Sequence, residues 1–249
     1  MKKQILLSML LSCLYMIALA QEQSIVKGKI EFEKKVNMHK QVDFIEDEDW
    51  RNMVKKMIPP TKTAYFDLYF SGNKTIYTPG REVIVTQRSS EWLEGPATDN
   101  IVFTDIDQQS AVSQKTVYDN IFNVQDSVRK INWKITPDTR TIAGMECRKA
   151  TAVILDTVFV VAFYAEQIVT PGGPESFAGL PGMILGLAVP RLFTTWFATK
   201  LELTDVKESM LVPPRKGKKA NANDIQAQLK TSMKDQAKMG AQFMLQLRI

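Results

Sequence analysis

The sequence predicts a mainly β protein: a curved antiparallel sheet, half-barrel-like, with one inserted helix and a C-terminal helix. Three observations carry this. Short runs of alternating apolar and polar residues recur from Val26 to Leu203. Turns of a few residues separate most of them, which leaves no room for the crossover helices that parallel strands need. Only 46–57 and the tail from Asn223 show helical spacing.

The chain begins with Lys2 and Lys3, an apolar run from Ile5 to Leu19 and the exit Ala18-Leu19-Ala20. That order reads as a secretory signal peptide, residues 1–20. Cys13 lies inside it, and Leu11 is a poor match for a lipidation signal, so simple cleavage is expected. The mature chain then carries 30 basic against 27 acidic groups, a net +3. This balance argues against a strongly basic nucleic-acid binder. No later stretch reaches the roughly 18 apolar residues of a membrane-spanning helix.

The first mature strand alternates Val26, Gly28, Ile30 and Phe32 with Lys27, Lys29, Glu31 and Glu33. Acidic residues 46–49 then precede Trp50, Met53, Val54 and Met57, which predicts a helix near 47–57 with that apolar face inward. Pro59-Pro60 ends it. Strands are expected at 64–70, 74–78, 82–87, 100–104, 111–118 and 121–124, with short pieces at 133–135 and 141–142. Residues 148–155 and 158–165 read as a hairpin turning at Asp156-Thr157. Residues 183–189 and 192–203 complete the set.

From 211 the texture changes. Residues 211–249 hold eight basic and two acidic groups, which leaves 21–210 at −3. The division read here is a β-rich domain over 21–210, then a basic linker and an amphipathic C-terminal helix over 211–249. Packing of that helix on the sheet is expected. Peripheral contact with an anionic membrane, or docking on an outer-membrane protein, is the alternative use of its charge.

Residues 171–182 contain seven of the chain's 23 glycines and prolines. Prolines fix φ and glycines allow positive φ, so this is a shaped loop rather than a slack linker. Leu180-Pro181-Gly182-Met183 fits a type II turn, with Phe177 and Leu180 as anchors in the core. The string Gly179-Leu180-Pro181-Gly182-Met183-Ile184 resembles the signature of the GLPGLI family, with Met183 in place of the usual Leu. Upstream, Trp133-Lys134-Ile135, Ile142-Ala143-Gly144 and Cys147-Arg148-Lys149-Ala150 resemble that family's further blocks. So do Ala162-Phe163-Tyr164 with Glu166 and Ile168, and Gly173-Pro174 with Phe177. The resemblance covers roughly residues 130–190. It implies an exported protein of a didermal bacterium, in the periplasm or at the outer-membrane periphery, and no assigned activity.

Candidate chemistry is sparse. Cys147 has no partner cysteine in the mature chain and reads as a buried structural thiol. His39, the sole histidine, reads as a surface residue, and no G-x-S-x-G is present. A zinc site of several histidines and cysteines has no residues to build it, and copper binding at Met38-His39 is disfavoured. No metal and no cofactor are expected. The leading reading is a binding or accessory protein of the envelope that cradles an apolar ligand, in the manner of a lipoprotein carrier. Its binding residues are placed at Phe177, Gly179, Leu180, Pro181, Gly182, Glu166 and Glu175. The alternative is a hydrolase in which Glu166, Glu175 or Asp138 converge.

Overall fold

The computed structural model describes residues 24–83, 95–117, 120–232 and 237–249. The leader, most of the strand expected at 82–87, and Met233 fall outside these residues. Twelve strands form one open sheet in the order β12-β6-β5-β4-β3-β2-β1-β11-β10-β9-β8-β7. Every pairing is antiparallel except β12 with β6. The expected fold class is therefore the observed one.

The strands are β1 Lys27–Asn37, β2 Thr61–Ser71, β3 Lys74–Pro79, β4 Ile101–Asp105, β5 Ser110–Val117 and β6 Asn120–Ser127. The second half holds β7 Lys134–Ile142, β8 Met145–Ile154, β9 Val158–Ala165, β10 Met183–Val189, β11 Thr194–Glu202 and β12 Lys218–Ala220. Each alternates by residue, so one face collects Ile30 and Phe32, Phe66, Leu68 and Phe70, Tyr77, Ala162 and Tyr164, Leu187 and Trp196, all buried. The two short pieces read at 133–135 and 141–142 are one strand, β7. An irregular register between Ile135 and Thr139 hid its continuity.

The loop after β9 shows how sharply the sheet bends. It joins neighbouring strands β9 and β10, yet the Thr170 hydroxyl donates to the Gly72 carbonyl in the β2–β3 turn at 2.6 Å. Gly172 packs so closely on Thr75 of β3 that a Cβ there would meet Thr75 Cγ2 at 2.8 Å. Strands β9 and β3 are five places apart, about 24 Å across a flat sheet. The loop reaches both because the concave face curls around it. Phe177 and Leu180 are buried in that core cluster, as the sequence implied. The protein's own loop thus supplies part of the interior packing.

Helix α1 spans Met38–Gln41 and α2 spans Glu48–Met57. The Asp47 carboxylate caps α2 by accepting from Trp50 N at 2.8 Å. Its apolar face departs from expectation: only Val54 is buried, packed with Met38, Val42, Ile45 and Ile58. Trp50, Met53 and Met57 are exposed, because the helix packs through a narrower strip than its pattern offers, against the residues around α1.

The expected single C-terminal helix is two, α3 Ala222–Ser232 and α4 Ala237–Arg248. Ile225, Leu229, Phe243 and Leu247 pack on Val117, Phe122 and Val124 of the sheet. The basic stretch before them keeps its lysines exposed, but it is pinned rather than loose. Leu211 is buried with Ile76 and Phe103. Asn123 donates to the Pro214 carbonyl at 2.6 Å, and Lys218–Ala220 pair with β6.

Candidate functional site

Strand β1 places Lys34 on its buried face, between Ala64 of β2 and Trp196 of β11. Its ammonium lies 5.3 Å from the centre of the Trp196 ring and 5.4 Å from that of Phe66. It donates to Glu175 Oε1 at 3.3 Å and to the Thr98 carbonyl at 3.5 Å. The other oxygen, Glu175 Oε2, accepts from Asn100 Nδ2 at 2.9 Å. The two charged side chains are 9% and 3% exposed, so this ion pair sits inside the protein, where each member needs the other.

Glu175 arrives from the Gly/Pro loop with φ near +54°. A side chain in that left-handed region costs about 1 kcal/mol or more. The clamp by Lys34 and Asn100 holds it there.

Three buried polar atoms next to this pair have no hydrogen-bond partner among the described residues: Asn100 Oδ1, Trp196 Nε1 and Tyr77 Oη. The Asn100 orientation is fixed, because its amide N–H groups must face the Glu175 carboxylate. The Trp196 N–H lies close enough to the Tyr77 hydroxyl to favour its ionised form slightly, but no hydrogen bond of good geometry joins the two. Burial, followed by the charge of Glu175, pushes the Tyr77 phenol well above its ordinary range. Lys34, Glu175, Asn100 and Trp196 line a cavity of about 60 Å³ whose wall is mostly apolar, from groups such as Val36, Met38, Leu192 and Ile249, with Gln41, Lys62, Asp99 and Gln246 also at its edge.

The residues read from the loop have different fates. Phe177, Leu180 and Gly182 are buried, while Gly179 and Pro181 are exposed. None of these five lines the cavity. The expected type II turn is a tighter one: Gly182 N donates to the Leu180 carbonyl at 2.8 Å, and Met183 N is taken by Ile168 O at 3.1 Å. Gly182 has φ near +149°, and a Cβ there would collide with the Ala165 carbonyl. The GLPG string therefore anchors the loop rather than contacting a ligand in this cavity.

The carboxylates do not converge. Glu166 is about half exposed, accepting from Arg148 at 2.9 Å and from the Tyr164 hydroxyl at 3.2 Å. Asp138 is exposed and accepts from Lys149 at 3.0 Å, which with Thr136 holds its carboxyl below the usual range. Glu175 alone of the three is buried. Among the described residues, no three acids, histidines and cysteines gather as metal ligands would. Cys147 is buried, and that burial pushes its thiol up to about 11, far from the thiolate a reactive cysteine needs. His39 is half-buried with Nε2 3.4 Å from the Ile58 carbonyl.

A second cavity, of about 280 Å³, lies on the same concave face under α3 and α4. Strand β5 sends Lys115 to its floor, opposite Phe122 of β6. The ammonium donates to the Leu247 carbonyl at 2.7 Å. Burial pushes it down to about 8; the charges of Arg129 and Lys34 add to this, and Glu175 works against it.

Sequence reading named Glu175 but missed Lys34, Asn100, Trp196 and Lys115. A signal for the lysines was present: each interrupts the apolar parity of its strand, after Ile30 and Phe32 in one case and between Ala111 and Val117 in the other. Asn100 carried no such signal, since its role depends on a loop 75 residues away.

Comparison with known proteins adds fold and little more. The sequence model of a protein family of unknown function (Porph_ging) matches residues 153–186, the hairpin, loop and first part of β10. No curated protein matches the sequence. The fold is similar to that of PNGF-II, solved in the P21 and C2 space groups: TM-score 0.52 in both, with 14% and 13% identity, over 81% of this chain. The chain spans only 32% of the length of PNGF-II, and at that identity the likeness is one of fold alone.

Proposed function

We propose that this chain is an exported, non-enzymatic binding protein of the cell envelope, akin to the GLPGLI family. Its ligand is small and mainly apolar, with one neutral group that both donates and accepts a hydrogen bond, such as a hydroxyl or primary amide. The observation that carries this reading is a pair of orphaned atoms on residues that line the Lys34–Glu175 cavity. Asn100 Oδ1 lacks a donor and Trp196 Nε1 lacks an acceptor. Each buried polar atom left alone costs about 1–3 kcal/mol, so the site gains when something supplies its missing partner. The charges of Lys34 and Glu175 already satisfy each other, which disfavours a charged ligand there.

This narrows the lipoprotein-carrier analogy. The loop and α4 add their own apolar side chains to the interior, which favours a small ligand over a long acyl chain. Glu166, Asp138 and Glu175 each pair with a different basic residue, which favours the binding reading over the hydrolase alternative.

The reading is tested by titrating the 15N-labelled protein with n-hexanol and hexanamide while following the Trp196 indole resonance. A saturable shift that is lost in Asn100→Leu supports it. No shift in the folded protein, or unchanged affinity in Asn100→Leu, overturns it.

A further inference from the structure

We infer that the cavity beneath α3 and α4 is a second, separate site, which takes a small oxyanion such as a phosphate group. It does not depend on the reading of the Lys34 cavity. Three cationic residues line it, Lys115 at the floor with Arg129 and Arg248, against one acidic side chain, Asp126. Ser113, Ser127 and Ser176 add hydroxyls to the wall. Among the described residues, none of the three cations is in an ion pair with a carboxylate.

The hydrogen bonds of those cations leave capacity unused. Lys115 donates to one backbone carbonyl, so two of its three N–H groups remain available. Arg129 donates from one guanidinium nitrogen to the Arg248 carbonyl, which leaves most of its five N–H donors free. Lys115 is 8% exposed, and a buried cation hydrogen-bonded only to a neutral carbonyl, with Glu175 and Asp126 acting at longer range, is held at a cost. Burial also lowers the affinity of Arg129 for its proton; Asp126 works against this and the charge of Arg248 adds to it. A tetrahedral oxyanion has the charge and the acceptor geometry that this surplus of donors lacks. The cavity, about 280 Å³, is far above the ~15 Å³ that one water needs, so a phosphate group fits with room for a small organic substituent.

The test is thermal unfolding and calorimetric titration of the folded chain with sodium phosphate, with sodium chloride at matched ionic strength as control. At ten times the dissociation constant, phosphate is expected to raise Tm by about 3–6 °C. Lys115→Met should abolish the effect. Arg129→Gln, at the cavity rim, should weaken binding at least about ten-fold while leaving the floor intact. Co-sedimentation with phosphatidylglycerol vesicles separates the two sources of the group. Phosphate binding without co-sedimentation assigns a soluble oxyanion; Lys115-dependent co-sedimentation assigns a lipid headgroup. Absence of saturable binding by both probes overturns the inference, as does a Lys115→Met protein that binds phosphate with unchanged affinity.

Discussion

Two lysines, Lys34 and Lys115, enter the same concave interior and meet opposite conditions. Each sits on the buried parity of its strand. Lys34 is met by a carboxylate at 3.3 Å and by two aromatic faces. Lys115 is met by a neutral carbonyl, with Glu175 acting only at longer range. The difference lies in neither strand. It comes from where one distant loop delivers a single acid, Glu175, whose φ near +54° is held by the side chains it binds. An interior charge is structural when its counter-charge is delivered with it, and available to a ligand when it is not.

The comparison is broken most sharply at Glu175. Glu175→Ala leaves the Lys34 ammonium buried and unpaired, at an expected cost of about 3–5 kcal/mol, read by urea unfolding. The double variant Lys34→Met/Glu175→Ala should recover at least half of that loss. If the double variant is as unstable as the single one, an uncompensated charge is not the cause.

The pH dependence sharpens the Lys115 side. Its folded value, about 8, lies below the ordinary 10.5, so between them the unfolded chain holds more protons. Its burial cost is fully present below pH 8 and is relieved as pH rises toward 10.5. Cys147 acts the other way, because its thiol is raised from 9.0 to about 11. The unfolded chain loses that proton first, and stability falls above pH 9. The window from pH 8 to 9 therefore isolates Lys115. Across it, the parent protein should gain about 1 kcal/mol relative to Lys115→Met, measured as the difference in unfolding free energy. An unchanged difference would mean that Lys115 titrates normally.

The smallest effect separates the aromatic surroundings. Phe66→Leu removes one ring from Lys34, whereas Phe122→Leu makes a similar change opposite Lys115, which no described ring faces. Phe66→Leu should cost about 0.5–1 kcal/mol more, and equal costs would remove the ring contribution from the account.

Much of the sheet was legible because alternation is a local property. β9 and β10 coincide with the expected runs, and Asp47 with the acidic start foretold α2. Misreadings arose where the signal was not local. Trp50, Met53 and Met57 have helical spacing, but spacing does not state how wide a strip the sheet will cover. The Gly/Pro loop was singled out with Glu175 among its residues, but the different parts that its residues play were not legible. Its GLPG string supplies the anchor, through Leu180 and Gly182, while the acid four residues before Gly179 supplies the charge.

What the sequence determined alone was the alphabet of elements: antiparallel strands, a capped helix, a shaped loop and an apolar parity interrupted at Lys34 and Lys115. Hydrophobic period and turn chemistry act over a few residues, so they are written along the chain. Only the tertiary structure decided which lysine has a counter-ion. That depends on the curl of a twelve-stranded sheet, which brings Glu175 to Lys34 across 141 residues and leaves Lys115 facing Leu247 across 132.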